Sequence, residues 1–469
     1  MYKLFFTFSL TALILVKAHA SNIENQQADI QKLDERITDI ELRAMNNKIN
    51  FGLDLKIESA MLNDKSQIST KSPTTHSGYV GAILFRINID SNVSENLNVY
   101  ASAESLSFFN ENLFNGPATI NNREKQVKGE KLSLSKAYFD WKFYKNWLTF
   151  SAGRLPTTQG PPAHIKDGVG REGTYPLTGY SVPLDGYALT AKISTPLELK
   201  DKLSLRLIYK PGGSANSTYP FRGVPLGDIN HPRSMATNHQ LFSGMLEFEQ
   251  KNNTNGIWEN MLAILQYGYY RFSSAPAFET TGLLGDTDIE KYRVYYDNDR
   301  LIDAKILSPY LELSKIFSTH FDIYSTFAFS KTKNYAHARA TKLTSISGAP
   351  AGTDFDLGAF IHPGEQTGTR ILAGTRYEFP DHYFLGAEYM KATEKAVPTV
   401  FYADSLVSPN YYNGHSFELY ALKSLYNDDF IIRLGFIHLN VNADLSNSLF
   451  LQNTVEKINI AILSLNIRI

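Results

Sequence analysis

The stretch FGLDLKIES, Phe51 to Ser59, decides how this chain is read. Phe51, Leu53, Leu55 and Ile57 alternate with Gly52, Asp54, Lys56 and Glu58, so a strand here has one apolar and one polar face. The same period of two recurs to the C-terminus. Strands are expected at about 50–59, 78–90, 96–108, 132–144, 147–154, 184–195, 200–210, 239–250, 258–272, 303–315, 319–333, 369–379, 382–391, 415–424, 430–440 and 455–469. That is sixteen, or fourteen to eighteen according to how the weak alternation at 239–250 and 303–315 is counted. Pro309 inside the tenth strand removes a ladder bond and is expected to mark a bulge.

The gaps alternate too. Tight turns fall at about 91–95, 145–146, 196–199, 251–257, 316–318, 380–381 and 425–429, and the eight intervening loops run to about 14–35 residues. Short turns on one rim and long loops on the other are the pattern of an antiparallel transmembrane β-barrel, and an even strand number returns both ends to the short-turn side. Closure removes the unpaired edges that a lipid environment does not tolerate.

Composition points the same way. A soluble chain of 469 residues would show several deeply apolar runs; this one has 27 Tyr and 29 Phe but no apolar run past the N-terminal leader long enough for a membrane helix. Lys3, the apolar run Leu4–Val16, and the small-residue site Ala18-His19-Ala20 read as a secretory signal over 1–20. With no cysteine there is no lipoprotein signal, disulfide or thiolate metal site. A formal net charge of -1 gives no electrostatic reason to bind nucleic acid.

Residues 21–47 switch to a period of seven. Ile23, Ile30, Ile37 and Ala44 with Gln26, Leu33 and Ile40 form an a/d seam, for which the core is expected at Ile23, Ile30, Leu33, Ile37 and Ile40. The two readings of this stretch are a solvated amphipathic linker and a short periplasmic coiled coil that registers a homotrimer and touches peptidoglycan. The barrel is then assigned to 48–469.

The last strand, INIAILSLNIRI, puts Ala461, Leu463, Leu465, Ile467 and Ile469 on one face and Ser464, Asn466 and Arg468 on the other. It resembles the C-terminal signal by which bacterial outer-membrane barrels engage the barrel-assembly machinery, although that signal usually ends on Phe where this chain has Ile469. In layout the chain resembles the general porins, whose third external loop folds inward and narrows the pore. The segment AGRLPTTQGPP followed by GREGTYP, Ala152–Pro162 and Gly170–Pro176, resembles a loop signature of a family of Gram-negative outer-membrane barrels with a short N-terminal coil. That family is known only by a domain-of-unknown-function label and brings no substrate with it. The resemblance implies an outer-membrane location after Sec-type export, lipid as the surrounding medium, and diffusion of small hydrophilic solutes.

The loop segment itself is not a phosphate cradle. Pro156, Pro161 and Pro162 remove amide donors, and no helical period follows. Its prolines and glycines fix a compact backbone that can enter a lumen without presenting strand edges. Lys166, Asp167, Arg171 and Glu172 then carry charge to the constriction; the competing reading folds the loop over the rim. With the less apolar face of each strand taken as inward, the pore-lining candidates are Arg370, Arg376, Arg433, Arg468, Lys136, Asp140, Glu104 and Arg86. The four arginines at 370, 376, 433 and 468 are expected to form a basic wall opposite the acidic groups of the loop.

Enzyme readings find no support. No G-x-S-x-G or H-E-x-x-H occurs, and Ser416 beside His415 has no evident third partner. No catalytic residue, cofactor or metal site is assigned. Asp286, Asp288, Asp297 and Asp299 offer oxygen ligands, but their spacing is not that of a closed calcium loop. Two functions remain: a weakly selective porin, and a structural or adhesive barrel whose long loops, the sixth at about 334–368 foremost, bind a host or partner ligand.

Overall fold

A computed structural model of the chain describes residues 49–68, 74–109, 132–179, 181, 184–211, 214–218, 236–253, 256–273, 278–281, 291–296, 300–335, 337–342, 354–359, 365–393, 395–396, 414–426, 429–443 and 454–469, with 32, 33 and 36. Of the proposed coil core only Leu33 is among them, helical and exposed; Ile23, Ile30, Ile37 and Ile40 lie outside the described residues. The coil therefore stays an expectation.

The strands, in chain order, are β1 (Ile49–Ile68), β2 (Thr74–Ser94), β3 (Leu97–Phe109), β4 (Ser133–Phe143), β5 (Leu148–Leu155), β6 (Leu184–Lys192), β7 (Lys202–Lys210), β8 (Ser214–Thr218), β9 (Ala236–Gln250), β10 (Asn260–Ser273), β11 (Phe278–Thr281), β12 (Lys291–Tyr296), β13 (Arg300–Ser314), β14 (Phe321–Asn334), β15 (His337–Lys342), β16 (Asp354–Ala359), β17 (Glu365–Phe379), β18 (Tyr383–Ala392), β19 (Gly414–Leu425), β20 (Phe430–Ala443) and β21 (Thr454–Arg468). One short helix, α1 (Ala163–Asp167), lies in the loop between β5 and β6.

Sixteen of these strands form the wall, each antiparallel to the next, and β8 adds a short pairing to β9. Each wall strand coincides with one expected from the alternation. The barrel closes between β1 and β21, from Asp54 opposite Arg468 to Ile68 opposite Thr454. Leu53 and Ile469 complete the seam by exchanging backbone hydrogen bonds of 2.8 and 2.9 Å.

Burial fixes the two faces. On β1, Phe51 is 71 % exposed while Lys56 and Glu58 are buried; on β20, Leu434 is 56 % exposed while Arg433 is 2 %. An exposed apolar belt with buried charge behind it inverts the soluble pattern and matches a wall with lipid outside and a polar bore inside. Aromatic girdles flank the belt: Trp141, Tyr144, Phe317, Phe379, Tyr383 and Tyr426 toward the short turns, Tyr187, Tyr209, Phe242, Tyr389 and Phe417 toward the long loops. The short turns are tight because residues such as Lys145, Asn146, Phe317, Ser318, Asp381 and His382 take positive φ, which reverses the chain in few residues.

One expectation needs correction. Pro309 causes no bulge: Leu307 pairs with Phe329 and Tyr310 with Thr326 in one unbroken register, with only the bonds at 308 and 309 missing. Thr326 Oγ1 donates to the Pro309 carbonyl at 3.0 Å and covers the gap. Within the long loops after β10 and β14, which the alternation leaves unassigned, β11, β12, β15 and β16 form a separate four-stranded antiparallel sheet.

Candidate functional site: the loop inside the barrel

The third long loop, between β5 and β6, enters the lumen. Its compactness is written into the sequence motif. A side chain at Gly160 would place a Cβ 1.5 Å from the Tyr175 carbonyl oxygen, and one at Gly173 would sit 2.1 Å from that of Thr158. The two halves of the motif, GRLPTTQGPP and GREGTYP, therefore pack backbone to backbone, which only glycine permits. Gly173 N donates to Gln159 O at 3.2 Å, and Leu177 N to Pro161 O at 2.8 Å. The prolines deny donors to an edge while these bonds knit the loop to itself.

From this body, side chains reach strands on all sides. Lys166 Nζ donates to Glu388 on β18 at 3.1 Å and to Glu418 on β19 at 3.0 Å. Arg171 donates to Glu247 on β9 at 2.8 Å. His164 Nε2 lies 3.1 Å from Glu312 on β13. Glu172 accepts from Arg86 on β2 at 3.3 Å, Lys136 on β4 at 3.4 Å and Arg468 on β21 at 3.2 Å. Arg376 on β17 donates to the Ile165 carbonyl at 3.1 Å, and Tyr270 on β10 to that of Gly179 at 3.2 Å. Thr178 shares its hydroxyl with Ser308 on β13 and Thr326 on β14.

Burial opposes the charge on Lys166, but Glu388 and Glu418 outweigh it and hold the ammonium above the usual lysine range. Burial likewise opposes the charge on Arg171, and Glu247 raises it. The Tyr175 hydroxyl is pushed up by burial and stays neutral.

The loop fills the bore unevenly. Toward β6–β18, Ile165 and Tyr175 join a continuous apolar cluster with Leu184, Ile208, Leu241, Met245, Leu262, Ile264, Tyr270, Ile306, Tyr310, Tyr324, Leu372 and Met390. Here the inward face, though still the less apolar of the two, carries apolar side chains as well as polar ones. Toward β21, β1 and β2 the loop stands off, leaving a cavity of about 40 Å³ lined by Asp54, Lys56, Leu84, Arg86, Gln159, Ala163, His164, Asp167, Val169, Glu172, Asn466 and Arg468.

Lys166, Asp167, Arg171 and Glu172 accordingly all lie inside the barrel. The basic wall is dispersed, and this is a correction. Among the four arginines, Arg468 bonds the loop carboxylate Glu172, whereas Arg376 pairs with Asp322 at 2.8 Å and stacks 4.8 Å over Phe384. Arg433 pairs with Glu418 on the neighbouring strand and interacts electrostatically with the loop carboxylate Asp167, and Arg370 is 1 % exposed. Glu172 is also met from the wall by Lys136 and by Arg86, the latter itself held by Glu104 at 3.3 Å. Asp140 accepts from Ser151 at 2.6 Å. Sequence reasoning missed Gln159, His164, Glu247 and Glu312. The last two share strand parity with Met245 and Tyr310, so their side was hidden wherever both faces are apolar. The aspartates considered for calcium lie outside the described residues, among which no group of His, Asp and Glu is arranged to hold a metal ion.

These features define the class: a porin-like, sixteen-stranded barrel with a long loop drawn into its bore. Residues 83–212, from within β2 past the inserted loop to the end of β7, match a family model described as "Protein of unknown function (DUF3373)". No curated protein matches the chain. Among solved structures, OprB of Pseudomonas putida at high pH is similar at 9 % identity and a TM-score of 0.48, covering 91 % of this chain and 96 % of that one. OmpF of Salmonella typhi in complex with daunomycin gives 10 % and 0.44, covering 88 % and 97 %. An anion-selective porin from Comamonas acidovorans gives 10 % and 0.44, covering 89 % and 100 %. At these values the likeness adds nothing to the strand pairing and burial of this chain itself.

Proposed function

We propose that the protein is a porin of the Gram-negative outer membrane, exported by the Sec route, through which small hydrophilic solutes diffuse without a cofactor. The observation that carries this reading is the uneven fit of the inserted loop. One side is sealed by apolar packing, while the other keeps a charged cleft between the loop and the β21–β1–β2 arc. Charges in a bore focused by low-dielectric walls act on a passing solute more strongly than they would in open water. The near balance of Lys56, Arg86 and Arg468 against Asp54, Asp167 and Glu172 favours weak ion selectivity. Assembly as a homotrimer through the N-terminal coil, contact of that coil with peptidoglycan, and delivery through the barrel-assembly machinery complete the proposal. Planar-bilayer recording of the refolded barrel under a salt gradient tests it: stable conductance steps with a reversal potential near zero are expected, and silence from a correctly folded barrel overturns it.

A second reading has its own observation. The apolar cluster around Ile165 and Tyr175 is packed like a protein core, and about 40 Å³ admits roughly three waters. A barrel sealed by its own loop, displaying its outer loops to a partner, fits that density, and the same recording separates the two.

A further inference from the structure

Two buried polar atoms in the cleft have no hydrogen-bond partner among the described residues: the amide nitrogen Nε2 of Gln159 and Nδ1 of His164. Gln159 is 9 % exposed, and its backbone is held at φ 56°, a left-handed conformation that glutamine seldom adopts. A buried amide left without a protein partner is costly, and one on a strained residue that lines a cavity marks a place where an acceptor from solution can bind. His164 is fixed from its other side by Glu312, which aims the free nitrogen rather than leaving the ring to turn.

The charge pattern states what that ligand is. Three cations line the cleft, Lys56, Arg86 and Arg468, and three carboxylates, Asp54, Asp167 and Glu172. Arg86 and Arg468 share Glu172, at 3.3 and 3.2 Å. Asp167, by contrast, makes no direct hydrogen bond or ion pair with a described residue, although Lys166 and Arg433 act on it electrostatically. A simple anion would compete with Glu172 for the arginines and approach Asp167 at a loss; a simple cation would meet three positive groups. A solute carrying both charges a few ångströms apart satisfies the free amide and offers the Asp167 carboxylate a direct partner.

We infer that the cleft between the inserted loop and the β21–β1–β2 arc is a binding site for a small zwitterion of the α-amino acid type, its carboxylate taken by Gln159 Nε2 and Lys56, its ammonium by Asp167. This rests on the porin reading and names the solute class for the same path. The cavity holds the charged head group, and a side chain extends along the bore.

The test uses the signal-less, refolded barrel in detergent, with fold verified by heat-modifiable migration. Binding of alanine, acetate and methylammonium is followed by saturation-transfer NMR, independently of conductance. Alanine should bind saturably and more tightly than either singly charged fragment. Gln159→Glu, which keeps the shape but reverses the carboxylate contact, should weaken alanine roughly tenfold and strengthen methylammonium. Asp167→Asn should weaken alanine similarly and strengthen acetate. Opposite shifts of the two fragments are not what a merely loosened loop produces. Equal binding of acetate and alanine, no saturable alanine binding, or alanine binding unaltered by both substitutions overturns the inference. Conductance without alanine binding overturns this site alone, whereas binding without conductance overturns the porin reading and leaves the site.

Discussion

The two sides of the bore differ in the kind of force that meets the loop. Toward β6–β18, Leu241, Met245, Ile264, Ile306 and Leu372 face inward and bury Ile165 and Tyr175. Toward β21, β1 and β2 the facing residues are Lys56, Arg86, Asn466 and Arg468, and contact is through ion pairs around Glu172. Apolar packing excludes water and is insensitive to salt, whereas ion pairs beside a wet cleft are screened and exchangeable. One loop is thereby both anchored to the wall and the polar bank of the cleft. Between the two sides sits Lys166, whose bridge to Glu388 and Glu418 keeps two buried carboxylates compatible.

Removing the loop breaks the comparison outright. Replacing 156–182 with a short Gly-Ser linker should raise single-channel conductance several-fold, because both the packed and the polar bank vanish; an unchanged step size would place the resistance elsewhere. Next in size is Lys166→Met. It leaves buried Glu388 without its cation while Glu418 keeps only Arg433, a loss of about 3–5 kcal/mol for a broken buried pair. Proteolysis within 156–182 should become much faster while the barrel stays heat-modifiable. Ile165→Ala attacks the packed side alone, at about 2–5 kcal/mol for a fully buried isoleucine. It should lower the denaturant midpoint for loop release, followed by proteolysis within the loop, without moving the reversal potential. Glu172→Gln does the reverse. It removes the one carboxylate that Arg86, Lys136 and Arg468 share and should shift the reversal potential toward anions at nearly constant conductance.

The smallest expected effect is that of pH. Because the Lys166 pKa is raised in the fold, the stabilisation from its bridge is present below the ordinary lysine value and fades only as pH rises through the raised one. Conductance should therefore stay flat from neutral pH up to about 10.4, where free lysine titrates. A step within that range would mean the bridge is not what holds the loop.

Much of this fold is legible in the sequence, and the exceptions have a common cause. Alternation located every wall strand because lipid and lumen impose opposite polarities on successive residues. It was weak at 239–250 and 303–315, where the loop covers the inner face: Leu241, Met245, Ala304 and Ile306 are apolar inward while Phe242, Leu246, Leu307 and Leu311 are apolar outward. Strand parity alone cannot show such a face, so Glu247 and Glu312 went unnoticed and the four-arginine wall was overestimated. The loop motif was conspicuous by its glycines and prolines, but that Gly160 meets Tyr175 and Gly173 meets Thr158 is a tertiary fact. Strands β11, β12, β15 and β16 pair with one another across two different loops, a relation that no local period encodes.

The central claim is that solutes pass on the charged side of the loop and not on the packed side. The chain has no cysteine, so a single introduced thiol is a unique probe. Asn466→Cys lies on the cleft and Ala304→Cys in the packed half. With a charged thiol reagent added during bilayer recording, the account predicts that current through Asn466→Cys channels is blocked and current through Ala304→Cys channels is not. Block at Ala304→Cys with none at Asn466→Cys would contradict it.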